Sequence, residues 1–335
     1  MIDDIDFIEG CDLSQIYTYV EDGYSADVIH KLFAEYSRRE IREAVRAIKA
    51  ELETPKVVEK ETDKAKLWKN YEKLNEQHVE KAPEGDVFSV DFKTKRPIAI
   101  SFISDQHIDG HSPCDMKRMR EDAEYIQATD GMFACLMGDG VNNHIKHRSA
   151  VITAKTTPQE QYKLYDYYLS LFHEKIVVMC SGNHDLWTES ASGIDMVQIL
   201  AENNKVKYAK SSAIINANVG NIPYTLAFRH QYRTGSALNQ THAVKQWLRT
   251  GDTEFDIGAI GHEHEPAIES FMYRGLERWV CRPGSYQLTS QYAQVFGYNV
   301  STPTCPTFVL YPNQREIIGF TDVYRAGEFL KHARV

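Results

Sequence analysis

A chain of 335 residues has room for more than one domain, and with 42% apolar residues it can build a large core. Charged residues at 25% exclude a mainly disordered or collagen-like chain. The net charge of -9 excludes a general polyanion-binding surface, so any contact with nucleic acid has to come from a local basic patch. The cysteines (Cys11, Cys114, Cys135, Cys180, Cys281 and Cys305) form no CxxC pair and no zinc-finger spacing. The start, Met1-Ile2-Asp3-Asp4-Ile5-Asp6, is acidic where a secretory signal is basic. No apolar stretch approaches the ~20 residues that cross a bilayer. The expectation is a cytoplasmic protein with reduced thiols and no membrane partner.

Residues 1–52 read as a small helical unit. Ser25 is placed to cap a helix carrying Val28, Ile29, Leu32 and Phe33. Ser37-Arg38-Arg39-Glu40 reads as a capping box, with serine and glutamate each serving one orphan amide. The helix that follows puts Ile41, Ala44, Val45 and Ile48 on one face, and Arg39, Arg42, Arg46 and Lys49 on another. Two short helices, a turn and a basic second helix resemble a helix-turn-helix, and those four cations are the candidate nucleic-acid contacts. The bland alternative is a packing or oligomerisation unit, since any surface helix opposes a charged face to an apolar one.

Residues 53–85 are rich in Lys and Glu; Leu67, Trp68, Tyr71 and Leu74 give weak helical periodicity, as in a linker or exposed helical arm. From 86 to 335 the texture changes. Five short apolar runs (98–103, 133–137, 176–180, 225–228 and 257–260) read as buried strands, with helical patterns at 117–127, 158–173 and 242–249. Runs at 279–281, 307–311 and 315–320 follow without helices and suggest an antiparallel second sheet.

Each of the five runs ends at a short motif: Asp105-Gln106-His107, Gly138-Asp139, Gly182-Asn183-His184-Asp185, His230, and Gly261-His262-Glu263-His264. Strand ends are where α/β folds assemble their sites. Asp105 and His107, at i and i+2, would share one face of a strand and reach one cation. Asp139 follows a glycine, and its two oxygens suit a bridge between two ions. Asn183 can offer an amide oxygen to a second ion, and His230 can complete that shell. His262 and His264 can serve one metal each. Imidazole, carboxylate and amide oxygen together suit two divalent ions, Mn²⁺ foremost, with Fe²⁺, Zn²⁺ or Ni²⁺ as alternatives. Two such ions about 4 Å apart can clamp a phosphate and activate a water.

The order DxH, GD, GNHD, H, GHxH resembles the calcineurin-like metallophosphoesterase superfamily over about residues 97–320. The resemblance implies an α+β fold of four layers, α/β/β/α, with two packed mixed sheets flanked by helices. It implies one metal held by Asp105, His107, Asp139 and His264, and a second held by Asp139, Asn183, His230 and His262. It also implies attack by a metal-bridging hydroxide on a phosphate ester. His184 would assist the leaving oxygen, with Asp185 orienting its ring. Arg282-Pro283-Gly284-Ser285 resembles the turn found after the last motif in several members. Asn142 stands where many members carry Asp, and Asn143 where the serine/threonine phosphatase branch carries Arg, which argues against that branch.

The superfamily hosts monoesterases, cyclic-nucleotide diesterases, nucleotide hydrolases and nucleases. The basic N-terminal helix favours a nucleic-acid phosphodiesterase. The alternative is a phosphomonoesterase or small-nucleotide hydrolase that uses its N-terminal unit for homo-oligomer assembly. His111, His144, His147, Arg148, Arg229 and Arg233 are possible phosphate contacts, more simply read as surface or structural side chains. Cys114, Cys135 and Cys180 read as apolar fillers. Segments 140–158, 186–205 and 286–306 read as substrate loops, the last with Tyr286, Tyr292, Phe296 and Tyr298 as possible base-stacking rings.

Overall fold

The computed structural model describes residues 13–53, 64–76, 85–109, 113–146, 156–233, 235–236, 238–289 and 300–335. The chain divides into two compact units, Met1–Lys81 and Ala82–Val335.

In the first unit, α1 (Leu13–Glu21), α2 (Ala26–Leu32) and α3 (Arg38–Glu53) close on a core of Ile16, Val20, Ile29, Ile41, Val45 and Ile48. The α3 contribution follows the i, i+4, i+7 spacing of one helical face. Its start is the expected capping box: the Ser37 amide donates to Glu40 at 2.7 Å and the Glu40 amide donates to Ser37 Oγ at 3.3 Å. Ser25 differs from expectation. It is the N-cap of α2 in extended conformation but makes no side-chain cap bond; its carbonyl instead takes the amides of Val28 and Ile29. Helix α4 (Lys64–Glu76) forms over the weakly periodic stretch, with Leu67, Trp68, Tyr71 and Leu74 all exposed.

The second unit is built on two six-stranded mixed sheets. One runs β12-β11-β2-β3-β4-β5, formed by Ile317–Phe320, Thr307–Leu310, Ile98–Ile103, Met132–Leu136, Ile176–Cys180 and Tyr208–Ala209. The other runs β1-β6-β7-β8-β10-β9, formed by Asp86–Phe92, Ser212–Val219, Ile222–Arg229, Ile257–Ile260, Leu276–Arg282 and Ala267–Tyr273. Strand β2 shows why these runs are continuously apolar. Ile98, Ile100 and Phe102 pack between the sheets with Ile215, Leu226 and Phe228. Ala99 and Ile103, on the opposite face, pack under helices. A strand covered on both faces has no polar side to alternate with.

Helices α5 (Met116–Ala128), α6 (Pro158–Ser170), α7 (Asp185–Ser192), α8 (Met196–Asn203), α9 (His242–Thr250) and α10 (Val323–Ala333) complete the unit. Met119, Tyr162, Leu200 and Leu330, from α5, α6, α8 and α10, cover the β2 sheet. Val244, Trp247 and Leu248 of α9 cover the other sheet. The architecture is therefore helix, sheet, sheet, helix.

Two expectations are corrected. The C-terminal strands do not form one antiparallel sheet. Strand β10 joins β8 in parallel and β9 in antiparallel fashion, while β11 and β12 extend the β2 sheet. Strand β11 is covered on both faces, by the other sheet at Phe308 and Leu310 and by the helix layer at Val309. The segment 186–205 is not a loop, because α7 and α8 occupy most of it. Among the described residues no helix is long and apolar enough to cross a membrane.

Candidate metal centre

All five motifs leave the C-terminal ends of β2, β3, β4, β7 and β8, and their side chains converge. Asp105, His107 and His264 form one group of potential ligands, Asp139, His230 and His262 a second, and His107, Asp139 and His184 a third. Within each group the donor atoms lie within 4.8 Å of one another. Asn183 joins the second group, its Oδ1 lying 3.0 Å from His230 Nε2.

The convergence is not made by strand alternation, which corrects the reading of Asp105 and His107. Strand β2 ends at Ile103, and both residues are left-handed, with φ of 56° and 47°. Asp139 (54°), Asn143 (44°), His262 (75°) and His264 (59°) are left-handed too. Asp, Asn and His tolerate this region best among side-chain-bearing residues, at a cost on the order of 1 kcal/mol or more each. Backbone bonds hold the conformation. Asp105 N, His107 N and Ile108 N donate to the carbonyls of Gly138, Asp139 and Gly140 at 3.0, 2.9 and 3.1 Å. The two loops are thus zipped together residue by residue.

Glycines let a third loop approach. A Cβ on Gly138 would sit 2.2 Å from Gly182 N, and one on Gly182 would sit 2.0 Å from Asp139 Oδ1. No side chain fits at either position.

The donor atoms face inward. His230 Nδ1 is tied to the Met137 carbonyl at 3.0 Å, and His107 Nδ1 to Asn142 Oδ1 at 3.0 Å. Each ring thereby turns Nε2 toward the carboxylates: His230 Nε2 is 3.1 Å from Asp139 Oδ2, and His107 Nε2 is 3.7 Å from it. His264 Nε2 lies 3.2 Å from Asp105 Oδ1 and 3.1 Å from His107 Nε2. Asp105 is fully buried, and its Oδ1 faces His264 Nε2 at 3.2 Å and His107 Nε2 at 3.6 Å. A buried carboxylate oxygen facing imidazole nitrogens fits a divalent cation.

Electrostatics follow from burial and mutual charge. Burial pushes the Asp105 and Asp139 carboxyls up, but His230 and its neighbours outweigh that and hold both well below the usual range. Burial pushes His107 down to about 4. His230 is pushed down by burial yet rises to about 10, because Asp139 and Asp105 face it. Burial and His230 lower His262, whereas Asp105 raises His264 against its burial.

His184 sits beside these groups. Its amide donates to Asp139 Oδ1 at 2.9 Å, its Nδ1 meets the Asn142 carbonyl at 2.6 Å, and Trp187 stacks on its ring with centroids 4.1 Å apart. The expected partner Asp185 does not orient the ring. Its Oδ2 accepts the amides of Asp139 at 2.7 Å and Gly182 at 2.8 Å. Asp185 is the first residue of α7, and its carboxylate faces the amides of the Gly182 turn and the Asp139 loop rather than the ring of its chain neighbour. Its carboxyl is pushed up to about 7 by burial and by Asp139.

The sequence reading missed Trp187 and Asp109, and it noted Asn142 without giving it a part in the site. The signal for Asp109 was available in its place two residues beyond His107. Among the other candidates, Arg229 lies over the rings of Tyr232 and Trp247, and Arg233 over Tyr232. His144 Nε2 is 3.7 Å from Asp109 Oδ2. Cys135 and Cys180 are core residues, and Cys114 is half-buried. Tyr286 fills the core and donates to Asp122 at 2.8 Å, so it is no stacking platform. His111, His147, Arg148, Tyr292, Phe296 and Tyr298 lie outside the described residues. Arg39, Arg42, Arg46 and Lys49 are all on α3 in the other unit. Arg38 and Arg42 both contact Asp27, at 3.3 and 3.2 Å, and Arg39 pairs with Glu43.

No family model and no curated protein matches the chain. Solved structures similar to it include Vps29 of Chaetomium thermophilum, at 12% identity and a TM-score of 0.38, covering 67% of this chain and 99% of that one. The calcineurin-like phosphoesterase YfkN of Bacillus subtilis aligns at 10% identity and a TM-score of 0.38, covering 72% and 100%. A metallophosphoesterase of Sphaerobacter thermophilus aligns at 15% identity and a TM-score of 0.31, covering 71% and 100%. Likeness at this level says nothing about chemistry. In the content of its motifs, their order and their convergence at the strand ends of two packed sheets, the chain itself resembles the calcineurin-like metallophosphoesterase superfamily.

Proposed function

We propose that the chain is a dinuclear metal-dependent phosphoesterase, and within that class a phosphodiesterase acting on nucleic acid. The observation that carries the first part is a chain of three overlapping histidine-carboxylate groups, in which His107 links the Asp105 group to Asp139 and Asp139 links it on to His230 and His262. Asp105, His107, Asp139 and His264 would hold one cation, and Asp139, Asn183, His230 and His262 the other. When bound, such a pair supplies Lewis acidity to the phosphoryl oxygens and lowers the pKa of a water between them.

The protein's own residues do the rest. The His184 amide fixes one oxygen of Asp139, leaving Oδ2 for the centre. The Asn142 carbonyl holds the proton on His184 Nδ1, so the protonated ring delivers from Nε2 and returns to a neutral, hydrogen-bonded tautomer. That nitrogen serves the leaving alkoxide of an ester.

The nucleic-acid part rests on α3, where Arg46 and Lys49 are exposed. A second reading, a phosphomonoesterase or small-nucleotide hydrolase with an assembly role for the N-terminal unit, has its own support. The net charge is -9, and Arg38, Arg39 and Arg42 each face a carboxylate. A Mn²⁺ assay separates the two by comparing a chromogenic monoester, a chromogenic diester, cyclic nucleotides, and single- and double-stranded DNA and RNA. Cleavage of the diester and of a polynucleotide supports the first reading; monoester or nucleotide turnover alone overturns it in favour of the second.

A further inference from the structure

Behind the centre lies a buried carboxylate that none of the five motifs includes. Asp109 is 6% exposed. Its Oδ2 accepts from Asn142 Nδ2 at 2.8 Å; its Oδ1 accepts from Thr156 Oγ1 at 2.9 Å and Gln161 Nε2 at 3.3 Å. Asn142 in turn faces two functional histidines. Its side-chain Oδ1 is 3.0 Å from His107 Nδ1, and its main-chain oxygen is 2.6 Å from His184 Nδ1. Gln287 Nε2 also donates to Asn142 Oδ1, at 3.3 Å.

We propose that Asp109 is a positioning residue that, through the side-chain amide of Asn142, fixes the tautomer and direction of His107 and ties that ligand to the loop holding His184. An ionised carboxylate only accepts, so it selects the NH₂ end of Asn142 and turns Oδ1 toward His107. An amide oxygen there requires the proton on His107 Nδ1, which leaves Nε2 as the lone pair facing Asp105, Asp139 and His264. The same asparagine supplies the carbonyl that holds His184. One residue therefore sets both the ligand and the proton carrier, and Asp109, bound to its side-chain amide at 2.8 Å against 3.3 Å for Gln287, fixes which way that amide points.

Substituting Asp109→Asn breaks this logic without changing size. With its NH₂ toward Asn142 an asparagine opposes that amide's own NH₂; turned the other way it keeps the Asn142 bond and can donate to the Thr156 hydroxyl, but it opposes Gln161 Nε2. In the first orientation the Asn142 amide keeps only the bond from Gln287 Nε2 to hold it, and a flip that offers N–H to His107 places the His107 lone pair on the wrong nitrogen.

The inference concerns the proposed metal centre but is tested without substrate, by titrating Mn²⁺ into the purified full chain in a calorimeter. Asp109→Asn and Asn142→Ala, each shown to be folded by thermal unfolding, are expected to weaken Mn²⁺ binding about 10- to 100-fold. The double variant is expected to lose no more than the worse single one, because the two act in series. A folded Asp109→Asn that binds Mn²⁺ as the wild type does, or single losses that multiply in the double variant, overturns the proposal. If Asp109→Asn does not fold, ring ¹⁵N shifts of His107 in the metal-free wild type decide. The Nδ1-protonated tautomer is expected, and the Nε2-protonated one overturns the assignment. A wild type that binds Mn²⁺ but hydrolyses no phosphate ester would sink the phosphoesterase reading and leave this one standing.

Discussion

His184 Nδ1 lies 2.6 Å from the carbonyl oxygen of Asn142, and the indole of Trp187 stacks on the same ring. A main-chain carbonyl cannot change its protonation state, so the ring holds one orientation throughout a cycle of proton loss and gain. His184→Ala should retain wild-type metal content and lower turnover about 10²- to 10⁴-fold, the usual contribution of a positioned acid. Unchanged turnover in a metal-replete variant would remove His184 from the chemistry.

Asp185 has a structural task, binding the amides of Gly182 and Asp139. Asp185→Ala leaves two buried donors bare and should destabilise the fold by about 2–6 kcal/mol at 1–3 kcal/mol per amide, read as a lower denaturant midpoint. Its pH signature has a definite sign. The folded carboxyl is raised to about 7, above the unfolded value of about 3.9. Its contribution is thus fully present below about pH 4 and lost as pH rises through about 7. Asp185→Asn keeps an acceptor oxygen but cannot ionise. The stability difference between metal-free wild type and this variant should therefore shift against the wild type across that window. A pH-independent difference would contradict the assignment.

Metal uptake should release protons. His230 rises to about 10 beside Asp139 and Asp105, so in the metal-free protein it is protonated at neutral pH. A ligand must be neutral, and affinity should climb with pH up to about 10. Calorimetry in two buffers of different ionisation enthalpy counts the protons; none released would contradict the role of His230.

How much of this was legible from sequence follows from which forces are local. The strands at 98–103 and 176–180 could be read because burial on both faces makes an uninterrupted apolar run. Their adjacent motifs could be read because Asp, Asn and His are rare together at strand ends. The partners of those motifs could not. Asn142 meets His107 and His184 across loops that only the packed sheets bring together. Asp185 misled by adjacency, because the amides of Gly182 and Asp139 take its carboxylate. The sheet assignment of β10 and β11 failed because their partners, β8 and β2, are reached by long-range pairing and not by succession along the chain.

On α3, Arg42 is engaged by Asp27 while Arg46 and Lys49 are exposed. Reversing both to Glu should weaken DNA binding, reduce its salt slope by about 1 per lost phosphate contact, and spare hydrolysis of a small diester. DNA cleavage that is unchanged in this variant would assign the N-terminal unit to assembly instead.

The central claim is that Asp139 joins two cations into one hydrolytic centre. The direct measurement is metal content and diester hydrolysis in one preparation, stripped by chelator and reloaded with Mn²⁺, for wild type and Asp139→Ala. About two ions per chain, with hydrolysis lost on stripping and restored on loading, are expected of the wild type, and both should be lost in the variant. Wild-type stoichiometry in Asp139→Ala, or hydrolysis that survives complete removal of metal, would contradict it.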